Sequence, residues 1–152
     1  MAKLHGLPGV FDPNRAKITL DTIKKGCAKV SEYGPIIFTD ANGTAPDYDP
    51  GYTPKGIFLS EAIMLAGTYS YSGEREFGLN IACRLMDNMA KQGILWDVPC
   101  FIDGRNGVAF NGHDYSQFGV LWTLPATLEN VDLTGPSKPG GLVDRIIKAG
   151  KE

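Results

Sequence analysis

The first regular pattern of apolar residues lies close to the N-terminus. One stripe recurs at intervals of three and four residues and consists of Ala16, Leu20, Ile23, Cys27 and Val30. Lysines occupy other positions in this segment, so the pattern predicts an amphipathic helix. Asp12-Pro13 marks its start, because an Asp side chain caps free amide groups and Pro is preorganised for the first helical position. Gly34-Pro35 is predicted to end it.

The next two predicted helices differ in how much of their surface is apolar. The segment GIFLSEAIMLAGTY, residues 56–69, is apolar on nearly all sides, which predicts a helix buried all round that starts at Thr53-Pro54. The following helix is predicted from Glu74 to about Lys91, with Gly93 ending it, and is amphipathic. Its apolar stripe consists of Phe77, Ile81, Leu85 and Met89.

Later segments alternate between turns and helices. Residues 39–56 form a long loop rich in Asp, Gly and Pro, and residues 94–112 predict short strands joined by Asp-Gly and Asn-Gly turns. The stretch FNGHDYSQFGVLWTLPATL, residues 110–128, predicts a fourth helix that Pro125 kinks or ends. We expect its Trp122 to pack in the core. A short amphipathic helix near 142–149 is the last predicted element.

The order of these helices predicts the fold class. Amphipathic and almost wholly apolar helices alternate, which suits paired outer and inner helices. We predict a mainly α protein that forms part of an (α/α) toroid, with a small β-hairpin region; a plain helical bundle fits the same pattern equally well. The 152 residues form one predicted domain.

Composition excludes several classes of function. The formal net charge is −2, so no basic field exists that would attract nucleic acid or anionic lipid. The apolar runs are shorter than the roughly 18 residues of a transmembrane helix, and the N-terminal residues lack the apolar core of an export signal. Three cysteines without a CxxC spacing predict free thiols and a cytoplasmic location, with Cys27 and Cys83 as small buried residues. No cofactor motif occurs, and we predict no cofactor.

Three segments carry a resemblance to a known family: LHGLPGVFDPNRAKITLDTIKKG, GIFLSEAIMLAGTYSYSGEREFGLNIA and DYSQFGVLWTLPATL. They resemble glycoside hydrolase family 116, which includes non-lysosomal glucosylceramidase and bile-acid β-glucosidase. The resemblance covers the chain from Leu4 to about Leu133 and matches the C-terminal part of that family's catalytic domain. It implies an α/α-barrel fold and retaining β-glycosidase ancestry, whose chemistry uses two carboxylates about 5–5.5 Å apart. In the family both carboxylates lie upstream of this region, so the chain is predicted to contain no catalytic residue.

The resemblance also implies where this chain would meet a sugar, and the residues there differ from the family. Tyr52 falls near a position where the family has Glu, and Gln117 stands where the family has Arg, two residues after Tyr115. Together with His113, these residues are the predicted substrate-binding set. Asp114, within the same cluster, is equally suited to cap the fourth helix.

Two acidic clusters have structural interpretations as well as functional ones. Oxygen ligands between residues 40 and 49 superficially suit calcium, but the EF-hand pattern is absent and the prolines favour an Asx-turn loop, so we predict no metal site. Asp97, Asp103 and Arg105 are interpreted as turn formers and surface pairs rather than catalytic residues.

The sequence therefore leads to two hypotheses. In the first, the chain is a C-terminal segment or small subunit of a carbohydrate-active enzyme, forms one wall of its sugar cavity and is inactive alone. In the second, it is a non-catalytic interaction or carbohydrate-binding module derived from that fold. The apolar second and fourth helices predict a larger catalytic chain or self-association as the partner, because a monomer would leave them uncovered.

Overall fold

A computed structural model describes residues 8–46, 55–113, 116–129 and 134–151 of the protein. Helices dominate these residues, as the sequence predicted. The α-helices are α1 (Pro13–Lys25), α2 (Cys27–Val30), α3 (Leu59–Tyr71), α4 (Arg75–Gln92), α5 (Thr123–Leu128) and α6 (Leu142–Ala149). The strands are β1 (Gly56–Phe58), β2 (Phe101–Asp103) and β3 (Ala109–Phe110), and 3-10 helices span Ser116–Trp122 and Gly135–Ser137.

The start of α1 is confirmed, but its predicted length is wrong. The Asp12 carboxylate accepts a hydrogen bond of 3.0 Å from the amide of Arg15, as an N-cap should. The helix breaks at Gly26, which has φ −97° and ψ −103°, and the chain continues as the single turn α2. A Cβ at Gly26 would lie 2.7 Å from the hydroxyl of Thr39, so glycine allows the loop to approach closely here.

Strand β1 corrects the predicted start of the second helix. Residues Gly56–Phe58 pair antiparallel with β2, and Phe58 faces Phe101 with ring centroids 5.0 Å apart. Strand β3 pairs with β2 on its other side, so the sheet order is β1-β2-β3. The residues GIF, which open the segment predicted as a helix, therefore form a strand, because a partner strand lies beside them. The predicted start at Thr53-Pro54 lies outside the described residues.

The core centres on the hairpin of α3 and α4. The predicted stripe of α4 is confirmed, since Ile81, Leu85 and Met89 are all fully buried. The left-handed Gly93, with φ 70°, ends α4 as predicted. Most of α3 is buried too, but Glu61 and Met64 lie on an exposed stripe, so burial on all sides is wrong for this helix.

Polar groups attach the N-terminal helices to this hairpin. The Arg84 guanidinium on α4 donates to the carbonyls of Ser31 and Ala28, at 2.8 and 3.2 Å. These bonds satisfy carbonyls at the end of α2, where no further helical turn supplies donors. Burial lowers the pKa of Arg84 from its ordinary value.

The C-terminal helices differ from the prediction in type. The segment predicted as a fourth α-helix forms a 3-10 helix over Ser116–Trp122 and becomes the α-helix α5 only at Thr123. Pro125 lies in the first turn of α5, where its missing N–H costs no helical bond. Trp122 is 68% exposed, so its predicted place in the core is wrong. The last predicted helix is confirmed as α6.

None of the described helices combines the length and the apolar character that crossing a membrane requires. The predicted burial of Cys83 is wrong, because this thiol is exposed on α4. Cys27 is half-buried, and its thiol lies 3.5 Å from the hydroxyl of Thr39.

Candidate functional site

The loop between α4 and β2 meets the end of β3 at one side of the sheet. The amide of Cys100 donates to the carbonyl of Asn111 at 3.0 Å, which extends the pairing of β2 and β3 beyond the strands. Asn111 has a positive φ of 59°, and Gly112 follows with φ 79°. These left-handed residues turn the chain sharply after β3 and bring His113 to the loop that follows α4.

His113 pairs with Asp97 in this region. Its Nδ1 lies 3.2 Å from Oδ2 and 3.3 Å from Oδ1 of the carboxylate. The side chains are 82% and 54% exposed respectively, so the pair contributes little to stability. In the neutral tautomer with its proton on Nδ1, the ring donates to the carboxylate and Nε2 can accept from a ligand.

Trp96 precedes Asp97 in the same loop and is 95% exposed. An indole ring combines a large apolar face with one N–H donor, and buried positions are usual for so large a side chain. Here an exposed tryptophan and the carboxylate that pairs with His113 are consecutive residues of one loop. We call Trp96, Asp97 and His113 the loop cluster. It combines an aromatic side chain with polar groups, a composition that suits a ligand with both C–H and O–H groups.

The predicted substrate-binding residues are only partly placed by the structure. His113 lies in the loop cluster. Tyr52, Asp114 and Tyr115 lie outside the described residues. Gln117 belongs to the 3-10 helix Ser116–Trp122, but its side chain is outside what the structure describes.

Sequence reasoning did not select Trp96 as a ligand-binding residue. Its signal is the dipeptide Trp96-Asp97 just after the glycine that ends α4, where a large aromatic residue directly precedes a carboxylate. The sequence predicts that Asp97 belongs with Asp103 and Arg105, because all three fall in one hairpin region. In the structure, Asp97 pairs with His113 instead.

Asp103 and Arg105 form the turn between β2 and β3, as predicted. Asp103 accepts from the backbone amide of Arg105 at 2.8 Å and from its Nε at 2.9 Å. The hydrogen bond from the guanidinium lowers the pKa of Asp103, with the nearby positive charges acting in the same direction and partial burial opposing them. The carbonyl of Asp103 also accepts from the amide of Gly107 at 2.7 Å. The contacts with Arg105 engage the Asp103 carboxylate, and together with the carbonyl contact they stabilise the turn.

Among the described residues, three carboxylates show a lowered pKa, and none of these suits a general acid. Hydrogen bonds from Lys17, Arg105 and Lys148 are the main causes for Asp21, Asp103 and Asp144 respectively. A glycosidase general acid requires a raised pKa so that it keeps its proton near neutral pH. These groups are therefore ionised at neutral pH and serve as partners of cations.

The acidic loop after residue 39 folds around one side chain. Oδ1 of Asp40 accepts from the amides of Asn42 and Thr44 at 2.9 and 2.8 Å, which confirms the Asx-turn interpretation. Asp47 and Asp49 lie outside the described residues. Within the described part of the chain, no group of three or more His, Cys, Asp or Glu side chains is arranged to hold a metal ion.

No protein-family model, curated protein or solved structure matches the chain.

Proposed function

We propose that this chain is the C-terminal segment or a small subunit of a glycoside hydrolase-like, carbohydrate-active enzyme with β-glucosidase ancestry. It forms one wall of the sugar cavity of an (α/α) toroid and lacks the catalytic carboxylate pair. The observation that carries the proposal is the loop cluster, in which Asp97 pairs with His113 and directly follows the exposed Trp96 in the chain. A carboxylate and an imidazole exchange hydrogen bonds with sugar hydroxyls, while the indole packs on the C–H face of the ring.

The helices support this architecture. The largely buried α3 packs against the amphipathic α4, which is the relation between an inner and an outer helix of a toroid. A three-residue connection, 72–74, joins them. The resemblance to family 116 covers the same helices, and it assigns the missing catalytic carboxylates to a larger chain that would be the partner. The formal charge of −2 and the free cysteines support a cytoplasmic protein that does not bind nucleic acid.

A second function, a non-catalytic carbohydrate-binding or interaction module, is favoured by the openness of the loop cluster. Trp96 is almost fully exposed rather than set in a cleft. An open aromatic platform binds without enclosing its ligand, whereas a catalytic cavity excludes water from the reacting atoms. The two functions share the same contact residues and differ in whether a catalytic chain covers the platform.

Titration with sugars tests the shared site. We expect cellobiose or methyl β-glucoside to shift the NMR signals of the Trp96 indole and of residues 97 and 113. His113→Ala should weaken binding about three- to tenfold, because one polar contact contributes about 0.5–1.5 kcal/mol. Trp96→Ala should remove most of the affinity, with the melting temperature nearly unchanged in both variants.

A matched substitution separates the site from general surface effects. Asp97→Asn should weaken binding, whereas Asp87→Asn, on the exposed side of α4, should leave it unchanged. If sugars cause no shifts, or if His113→Ala lowers the melting temperature and leaves affinity intact, the cluster is structural and the proposal is wrong.

A further inference from the structure

An apolar groove of about 250 Å³ opens between the N-terminal helices and α3. Its walls come from α1, from the segment after Gly34 and from one side of α3. Apolar lining residues include Ile23, Ile37, Phe58, Ala62 and Leu65. Glu61 is the charged residue at this groove, and it forms no ion pair with another described residue. An open apolar groove with one unpaired acid suits an amphipathic helix that brings a base.

Helix α6 has the complementary properties. Its apolar residues fall at positions i, i+1, i+4 and i+5, so they share one face. They are 45–62% exposed and consist of Leu142, Val143, Ile146 and Ile147. Lys148 pairs with Asp144 at 2.9 Å, but Arg145 forms no ion pair with another described residue. The helix thus presents an apolar face and one unpaired cation.

We propose that α6 of one copy binds in the groove of a second copy, with Arg145 facing the partner's Glu61, and that the exchange is reciprocal. This inference stands apart from the proposed sugar site, whose residues it does not use. Within one copy, α6 packs mainly on the 3-10 helix Gly135–Ser137 that precedes it and leaves the groove open. Since every copy carries both surfaces, two copies satisfy each other and the assembly closes with twofold symmetry.

The connection that precedes α6 is thirteen residues long. Residues 129–141 separate α5 from α6, and a chain of this length spans at most about 45 Å when extended. A membrane surface is a poorer occupant for the apolar face of α6. The overall charge of −2 does not attract anionic lipid, and one of the two cations of α6 is already paired with Asp144.

Charge reversal in separate variants tests the proposal. Glu61→Arg alone and Arg145→Glu alone each place like charges at both contacts of a dimer. Each should raise the dimer dissociation constant on the order of 100-fold in sedimentation velocity, because like charges facing each other are strongly unfavourable. When the two variants are mixed, both contacts of the heterodimer again join opposite charges. We expect the mixture to return to the wild-type dissociation constant.

Both substituted residues are exposed, and circular dichroism melts check that each variant folds as the wild type does. Lys91→Glu, at the exposed end of α4 and away from the groove, is the matched control and should leave the dimer unchanged. The proposal would be overturned if the wild-type protein remained a monomer at a concentration 100-fold above that of the assay. It would also be overturned if the single variants dimerised as the wild type does. Failure of the mixture to restore the dimer would also overturn it. Mixing restores opposite charges only if α6 of one chain contacts residue 61 of another chain.

Discussion

The hydroxyl of Tyr69 donates a hydrogen bond of 2.7 Å to the carbonyl of Leu20 and so joins α3 to α1. Tyr69 is fully buried, and its ring meets the edge of Phe77 with centroids 4.7 Å apart. A buried hydroxyl requires a partner, and a carbonyl of the neighbouring helix supplies it here. This hydrogen bond therefore adds to the Arg84 contacts that attach the N-terminal helices to the buried hairpin.

Alkaline pH should weaken the fold through Tyr69. Burial, followed by nearby negative charges, raises the pKa of this group above its ordinary value of 10.0. The unfolded chain then releases the proton at lower pH than the folded chain does. The stabilisation is complete below about pH 10 and is lost as pH rises further, with a slope of up to about 1.4 kcal/mol per pH unit.

Tyr69→Phe checks this assignment by urea denaturation between pH 7 and pH 11. At pH 7 the variant should be less stable by about 1 kcal/mol, because the interhelical hydrogen bond is lost. Above pH 10 its free energy of unfolding should fall less steeply than that of the wild type. Equal slopes in the two proteins would show that another group causes the alkaline loss.

The N-cap of α1 gives a second prediction. Asp12→Ala removes the acceptor of the Arg15 amide, 3.0 Å away, and should cost about 1 kcal/mol of stability. Asp12→Asn keeps an acceptor and should retain most of it, because Asn caps about as well as Asp. Chemical denaturation of both variants measures the difference. An equal loss in both would assign the effect to charge rather than to capping.

Gly78 gives a third prediction, on the packing of α3 against α4. A Cβ at this position would lie 2.4 Å from the backbone carbonyl oxygen of Ala66, which cannot rotate away. Ala gains about 1 kcal/mol in helix propensity over Gly, but overpacking costs about 1–3 kcal/mol. Gly78→Ala should therefore lower the melting temperature overall.

The control for this substitution is Gly119→Ala. Among the described residues, no atom lies within 4 Å of a Cβ built at Gly119, so the change should be nearly neutral. If Gly78→Ala proves stabilising, the two helices are not as close as the structure places them.

Catalysis gives the fourth prediction. We expect the pure chain to hydrolyse an aryl β-glucoside no faster than the buffer does, since the proposed function assigns both catalytic carboxylates to another chain. The measurement is release of the chromophore from 4-nitrophenyl β-glucoside over pH 5–8. Turnover that disappears when a single carboxylate of the chain is changed to its amide would contradict the proposed division between this chain and a catalytic partner.

Local signals predicted the helices that begin and end with capping residues. Asp12-Pro13 and Gly93 both lie where the sequence placed them, because a cap acts within one turn of the chain. The buried stripe that includes Ile81 and Leu85 was also predictable from the sequence, because it follows helical periodicity.

Contacts distant in sequence account for the misplaced elements. Gly56–Phe58 forms a strand because β2, more than forty residues later, supplies its partner. Gly26 breaks the first helix where Thr39 approaches it. The apolar pattern before Thr123 fits an α-helix and a 3-10 helix equally, and the chain forms a 3-10 helix there. For the site, the sequence predicts His113 but not its partner Asp97. Their contact depends on how β3 pairs with β2.

Both tryptophans of the chain lie at its surface, Trp96 at 95% and Trp122 at 68% exposure. Because indole emission depends on solvent exposure, we expect their fluorescence in the native protein to resemble that of the unfolded chain, so that unfolding changes the emission little. The same optical signal responds strongly when a ligand or another molecule covers either ring. In this protein, intrinsic emission is therefore a probe of association, and folding must be followed through the backbone or through the tyrosines.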